Sequence, residues 1–227
     1  MFLLDFYRKK REQTLYRRLG KCGRNVFIGF PVFLANPKLL YMDDFSRIMN
    51  GANLILDTGK FIVGKYSVLA SRLTVITDNH TPTVGVPYYF TGSTHINDRT
   101  KDVIIKEDCW VGANVTLLPG VLLSRGVVVA AGSIVNKEIP PYAVVAGIPA
   151  KIIAVKFSID EILEHEKHLY EEKERMSKES LEELFNTVFK DKKIATHAHL
   201  SDDNIEQLKR RMPEFGIKYI GTNWYDL

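Results

Sequence analysis

The sequence predicts a parallel β-helix, a solenoid in which short strands and turns repeat along one axis. Apolar residues stand at every sixth position in the middle of the chain, namely Ile105, Val111, Leu117, Leu123, Val129 and Val135. Shorter series with the same spacing precede them, namely Val63-Leu69-Val75, Met42-Ile48-Leu54 and Ile28-Leu34. A helix repeats about every 3.6 residues and a strand about every 2, so neither fits. A fixed longer period is typical of solenoids, whose repeats bury their apolar faces by stacking.

Three six-residue faces would make one triangular coil of about 18 residues, and coils would stack about 4.8 Å apart. The spacing breaks at Asn36-Pro37, at Asp57-Thr58-Gly59 and over residues 79–102. We therefore place the β-helix at residues 25–155 and a long loop at residues 79–102. A β-sandwich, the alternative, would show strand-type alternation and irregular turn spacing.

Two segments of different character flank the predicted β-helix. Residues 1–24 contain a short basic amphipathic helix that ends at Gly20 and would cap the first coil. Weak association of residues 1–20 with an anionic membrane surface is the alternative. Residues 156–227 form a charged helical extension, in which Ser158 with Glu161, and Ser180 with Glu183, have capping-box spacing.

Composition and charge exclude several classes of protein. A net charge of +4 is too small to indicate nucleic-acid binding, and two cysteines make no disulfide framework. No apolar stretch is long enough for a transmembrane helix, and charges from Asp5 onward interrupt any signal-peptide core. We expect a cytoplasmic protein.

Four motifs carry a resemblance to a known family. They are Trp110-Val-Gly-Ala-Asn-Val-Thr-Leu-Leu-Pro-Gly120, Ala130-Ala-Gly-Ser133, Lys137-Glu-Ile-Pro-Pro-Tyr142 and Ala146-Gly-Ile-Pro-Ala-Lys151. The chain resembles the hexapeptide-repeat acyltransferases, in the branch of galactoside, maltose and polysaccharide O-acetyltransferases, over residues 25–155. This resemblance implies a left-handed parallel β-helix, a homotrimer, acetyl-coenzyme A (acetyl-CoA) as donor, and active sites between subunits.

His80 is the candidate catalytic residue. It follows the last residues of a repeat at the start of the long loop, and an imidazole can take a hydroxyl proton at neutral pH. The resemblance places the family's catalytic histidine here. His95, in the same loop, is a rival that could contact the acceptor or a neighbouring group. By the same resemblance, Asn50 and Asp57 fall at or beside acceptor-binding positions, although both types also favour turns.

The donor site should consist largely of accessible backbone. Small residues at Ala113, Ala131 and Gly132 would let a pantetheine arm lie against peptide groups between coils. The resemblance implies that Trp110 flanks the thioester. It also places Ala113, Ala131, Asn136, Lys137 and Lys151 along the coenzyme, where the two ammonium groups could meet phosphates.

The function that we expect is acetyl-CoA-dependent O-acetylation of a sugar hydroxyl in bacterial surface-polysaccharide synthesis, by direct transfer with His80 as base. Three alternatives stay open: N-acetylation of a nucleotide-linked amino sugar, acetylation of a streptogramin-type xenobiotic, and a non-catalytic β-helix scaffold. We expect no metal, because the coils offer His80, at most His95, and no third histidine.

Overall fold

The computed structural model describes residues 13–95, 97–195 and 200–215. Residues 13–16 are helical, whereas most of the amphipathic helix expected before Gly20 lies outside the described residues. Three short strands make each coil. The first coil contains β1 (Lys21–Cys22), β2 (Phe27–Ile28) and β3 (Phe33–Leu34). The second contains β4 (Leu40–Met42), β5 (Arg47–Ile48) and β6 (Asn53–Ile55). The third contains β7 (Phe61–Val63), β8 (Val68–Leu69) and β9 (Thr74–Ile76).

A loop separates the third coil from the fourth. Its two ends form an antiparallel ribbon of β10 (Asp78–Asn79) and β11 (Arg99–Thr100), and between them lies helix α1 (Tyr88–Thr94). The later strands are β12 (Val103–Ile105), β13 (Trp110–Val111), β14 (Thr116–Leu117); β15 (Leu122–Leu123), β16 (Val128–Val129), β17 (Ile134–Val135); then β18 (Ala143–Gly147) and β19 (Ala150–Val155).

Equivalent strands of successive coils pair in parallel and form three flat faces. Face A has the order β1-β4-β7-β12-β15, face B has β2-β5-β8-β13-β16-β18, and face C has β3-β6-β9-β14-β17. Strand β19 then turns back antiparallel to β18. Backbone groups of the interior coils are therefore hydrogen-bonded to the coils on either side. This architecture is the parallel β-helix that the six-residue period predicts.

The apolar residues of the six-residue series fill the interior. Met42, Val63, Ile105 and Leu123 are successive partners along face A, and all four are fully buried. The corresponding residues of faces B and C are also buried, except Leu34, which is half-buried in the first coil. Each coil buries its own apolar residues only because the next coil covers them.

Coil length departs from the expected 18 residues in the early coils. Met42 pairs with Val63, which is 21 residues on, whereas Ile105 pairs with Leu123, which is 18 residues on. The extra residues lie where face C turns into face A. A 3-10 helix at Pro37–Leu39 occupies this turn in the first coil, and Asp57-Thr58-Gly59 occupy it in the second.

The β-helix extends beyond its predicted start. Lys21 and Cys22 already pair with Tyr41 and Met42, so the first strand precedes residue 25. At the other end, β19 closes at Val155, and the Lys156 backbone amide donates to the Tyr142 carbonyl. The first unit of the chain ends at Lys156.

Residues from Phe157 onward form a second unit of short helices. It contains α2 (Ile159–Leu169), a 3-10 helix (Glu172–Glu174), α3 (Lys178–Thr187), β20 (Lys193–Ile194), α4 (Asp202–Arg211) and a 3-10 helix (Met212–Phe215). The capping box of Ser158 and Glu161 is confirmed. The one expected at Ser180 is wrong, because Ser177 caps α3 and places Ser180 inside the helix. Across the described ranges no helix is long and apolar enough to span a membrane.

Candidate active site

Two edges of the triangular β-helix carry the predicted site residues. The BC corner is the turn between faces B and C, and the CA corner is the turn between faces C and A. Successive BC turns stack through backbone hydrogen bonds: Arg72 N–H donates to the Asn50 carbonyl (3.0 Å), Asn114 to Ser71 (3.0 Å) and Gly132 to Ala113 (2.8 Å). These turns therefore form a continuous strip of backbone along one edge.

The BC corner contains the small residues predicted to contact the donor. Ala131 and Gly132 are exposed, and Ala113 is half-buried in the turn below them. A Cβ atom at Gly112 would lie 2.5 Å from the Ala131 backbone nitrogen, so glycine is required for this close approach of the coils. Gly132 has φ +73°, a conformation that glycine adopts without strain, and open space on its Cβ side. At Ala131 and Gly132 the strip therefore exposes its backbone.

Trp110 and Lys151 lie close to this strip. Trp110 begins β13 on face B, and 51% of it is exposed. Lys151 is on β19, where it pairs with Ala146 near the end of face B that leads into the BC corner. Asn136 and Lys137 lie elsewhere: they follow β17 and are exposed at the CA corner. Within one chain, the predicted donor residues are thus divided between two edges.

Asn50 and Asp57 are separated in the same way. Asn50 is in the BC corner, where its Oδ1 accepts a hydrogen bond from the Ser71 hydroxyl (2.8 Å). Asp57 is in the CA corner of the same coil, after face C. The structure therefore brings Asp57, but not Asn50, to the edge from which the His80 loop emerges.

His80 belongs to a polar cluster on the CA corner that is centred on Asp98. Its Nδ1 lies 2.9 Å from Oδ1 of Asp98, and Nδ1 of His95 lies 2.9 Å from Oδ2 of the same carboxylate. Asp57 approaches His95 Nδ1 at 3.7 Å, and the two imidazole rings are 5.7 Å apart. Both histidines are exposed, whereas only 13% of the Asp98 side chain is. One carboxylate thus joins the two candidate histidines.

The charges of this cluster reinforce one another. The hydrogen bond from His80, followed by the one from His95, holds the pKa of Asp98 below its ordinary value despite some burial. The hydrogen bond to Asp98 raises the pKa of His95, and the charges of Asp57, Asp98 and Asp78 act in the same direction. Asp98 is therefore an ionised acceptor at neutral pH.

A second carboxylate fixes the base of the loop. The Asp78 side chain accepts hydrogen bonds from the hydroxyls of Thr58, Thr77 and Thr100, and from the backbone amides of Asp57 and Thr58. Burial alone would raise the pKa of Asp78, but these hydrogen bonds outweigh it and hold that pKa well below its usual range. Thr100 and Thr58 thereby tie both ends of the loop to the CA corner.

Neither Asp98 nor Asp78 is recognisable as a site residue in the sequence. The register of the ribbon is the signal that was missing: Asp78 pairs with Thr100 and Asn79 with Arg99, so the next opposed pair is His80 and Asp98. Strands of two residues have no recognisable periodicity, and the spacing of 18 residues between His80 and Asp98 suggests no contact.

One group of side chains in the described ranges could hold a metal ion, namely His80, His95 and Asp98, whose ligand atoms lie within 4.8 Å of one another. Two imidazoles and a carboxylate are ligand types that Zn²⁺ accepts. Their mutual hydrogen bonds, however, already account for the arrangement. We therefore interpret the group as a hydrogen-bonded cluster.

Neither cysteine is placed to act as a nucleophile. Cys22 is on face A in β1, and Cys109 is buried where face A turns into face B. Burial raises the pKa of the Cys109 thiol to about 12, so it stays protonated at neutral pH. Neither belongs to the BC or CA corner.

No family model matches the chain, but the known proteins that are similar to it include several acetyltransferases. The galactoside O-acetyltransferase of Escherichia coli K12 is 30% identical over 163 residues, which cover 71% of this chain and 73% of that protein. WcaF of the same organism, named for acetyl transfer in colanic acid biosynthesis, is 31% identical over 149 residues, which cover 62% of this chain and 76% of WcaF.

A solved structure shares the fold. It is a hexapeptide-repeat acetyltransferase from Vibrio cholerae in complex with acetyl-CoA, with a TM-score of 0.58 and 24% identity over 65% of this chain and 77% of that one. The six-residue repeat of the interior and the extent of the similarity to galactoside O-acetyltransferase indicate the same family. The chain belongs to the hexapeptide-repeat acetyltransferases.

Proposed function

We propose that the chain transfers an acetyl group from acetyl-CoA to a sugar hydroxyl, with His80 as the general base. The observation that carries this proposal is the state of the His80 ring. Its Nδ1 is bound to Asp98, whereas no protein atom in the described ranges is hydrogen-bonded to Nε2. Gly92 lies beside that nitrogen: a Cβ atom at Gly92 would be 3.7 Å from it.

The proposed step is direct transfer. The acceptor oxygen attacks the thioester carbonyl carbon, its proton passes to His80 Nε2, and the carbon–sulfur bond breaks. The proton then leaves with the coenzyme A thiolate. A positioned base of this kind contributes about 10²–10⁴-fold to the rate. The burial of Cys109 supports a mechanism without a covalent enzyme intermediate.

The acceptor should bind beside His80 at the CA corner. Asp57 and His95 offer a carboxylate and an imidazole there, which suit the donor and acceptor sites of sugar hydroxyls. Because one relative is named for acetyl transfer to galactosides and another for acetyl transfer in colanic acid biosynthesis, we propose a bacterial surface polysaccharide or its precursor as the acceptor.

The donor should lie along the BC corner. An extended pantetheine arm can hydrogen-bond to the backbone that Ala113, Ala131 and Gly132 leave accessible. Lys151, near the BC corner, and Lys137, on the CA corner, would then have to reach the phosphates from different edges. The acetyl-CoA complex of the Vibrio cholerae protein supports the choice of donor.

Within one chain these two edges lie apart. About six extended residues of face C separate the BC corner from the CA corner, which corresponds to roughly 15–20 Å. We therefore propose a homotrimer in which the CA corner of one subunit faces the BC corner of the next. Exposed aromatic side chains, including Phe33 (59% exposed) on face C and Tyr89 (80%) on the loop, support an interface.

The experiment is a thiol-release assay with acetyl-CoA and a panel of acceptors. We expect turnover with simple sugars or polysaccharide fragments that carry free hydroxyl groups. Turnover confined to nucleotide-linked amino sugars, or to streptogramins, would replace the proposed acceptor. Absence of turnover together with absence of coenzyme A binding would favour the scaffold alternative.

A further inference from the structure

The ribbon that starts the loop places His80 and Asp98 directly opposite each other. Because β10 and β11 pair Asn79 with Arg99, the next opposed positions are residues 80 and 98. Alternate residues of a ribbon share a face, so this pair lies on the same side as Asp78 and Thr100, which are hydrogen-bonded to each other. The contact of His80 with Asp98 is thus built into the backbone pairing.

The chemistry of the carboxylate determines which protons the rings carry. An ionised carboxylate only accepts hydrogen bonds, and Asp98 is held ionised at neutral pH. Nδ1 of His80 and Nδ1 of His95, each 2.9 Å from a different oxygen of Asp98, must therefore both carry hydrogen. A neutral His80 with its proton on Nδ1 has its lone pair on Nε2.

We propose that Asp98 is a positioning residue, which fixes His80 in the Nδ1–H tautomer and directs the Nε2 lone pair toward the acceptor hydroxyl. His95 supports this role by binding the second oxygen of Asp98, which restricts rotation of the carboxylate. This inference rests on the proposed function of His80 and adds a residue from the loop. It assigns no direct contact between Asp98 and the substrate.

The charges around the pair are consistent with this role. Asp98 and the ring of His95 face His80. Asp57, at 3.7 Å, and the charge of Asp78 also act on His95. A carboxylate that faces Nδ1 stabilises the imidazolium formed when Nε2 takes the proton. Asp98 would therefore act on both the tautomer of the base and its charged form.

The test is Asp98→Asn, with Asp98→Glu as the conservative variant. We expect Asp98→Asn to lower kcat by about 10- to 100-fold, less than the total contribution of a general base, with the KM for acetyl-CoA nearly unchanged. Asp98→Glu should restore part of the rate. The matched control is Asp102→Asn: Asp102 accepts from the Lys60 amide (2.8 Å) at the base of the same loop. It should leave kcat unchanged.

Nitrogen-15 NMR of the imidazole rings separates positioning from general damage. In the unmodified protein above neutral pH, His80 should show a protonated Nδ1 and an unprotonated Nε2; Asp98→Asn should shift it toward the Nε2–H tautomer. An Nε2–H tautomer in the unmodified protein, or the same tautomer in Asp98→Asn, would overturn the inference. This measurement needs no turnover, so it is independent of whether the proposed acceptor is right.

Discussion

Complementation between two inactive variants tests whether each active site combines two subunits. One variant, His80→Ala, removes the proposed base at the CA corner. The other, Ala131→Trp, fills the exposed strip at the BC corner with an indole ring. Because these corners are roughly 15–20 Å apart in one chain, a site that needs both must take them from neighbouring chains. We expect each variant alone to form an inactive trimer.

The expected activity of mixed trimers follows from ring symmetry. If each site joins the CA corner of one subunit to the BC corner of the next, a ring that contains both variants has one site with both corners intact. Mixed trimers should therefore retain about one third of the unmodified rate, whichever variant is in excess. The two chains would carry different affinity tags and be co-expressed, so that tandem purification selects the mixed species.

The comparison is quantitative because both parents serve as controls. The rate per mixed trimer is measured by thiol release and compared with each purified parent and with the unmodified protein. Mixed trimers no more active than the parents would show that the His80 and Ala131 corners of different chains do not share a site. Such a result would refute the two-chain geometry, although it would leave the assignment of His80 open.

Two further predictions concern the loop. Replacing Gly92 by leucine should lower kcat/KM for the acceptor by at least about 10-fold, because the new side chain would occupy the space beside His80 Nε2. The control is Gly92→Ala, which should have a smaller effect because its Cβ makes ordinary contact with Nε2 at 3.7 Å. Equal effects of the two substitutions would contradict this reasoning. The raised pKa of His95 means that its attraction to Asp98 and Asp57 is fully present below about pH 6.5 and is lost as pH rises through that pKa. Amide-exchange protection of the loop at residues 79–102, corrected for intrinsic rates, should fall as the pH is raised above about 6.5. This fall should be absent in His95→Asn.

The fold could be predicted from the sequence because one physical requirement repeats. Successive coils place apolar residues at equivalent positions of a shared interior, so the buried series from Ile105 to Val135 is visible as a period. The start at Lys21 was less visible, since the residues of β1 are exposed and only pairing with Tyr41 and Met42 reveals the strand. The first coil lacks the full apolar signature, and its strands pair with another coil on one side only.

The candidate site could be predicted only in part. His80 was identified from its residue type, its position and the family resemblance, Asp57 from the resemblance, and His95 from its place in the loop. The structure brings all three to one corner. Asn50 was expected with them, but it lies in the BC corner, whereas Asp57 lies in the CA corner of the same coil. Asp98 was missed because its contact with His80 depends on the register of a two-residue ribbon, which leaves no pattern in the sequence.

The most direct test of the central claim is acetyl transfer by the unmodified protein and by His80→Ala, measured as coenzyme A thiol release with an accepted sugar. Since 46% of the His80 side chain is exposed, its removal should leave folding intact, as circular dichroism and sedimentation would verify. We predict that His80→Ala lowers kcat by at least about 10²-fold, with acetyl-CoA binding retained. Full activity in a correctly folded His80→Ala trimer would contradict the account.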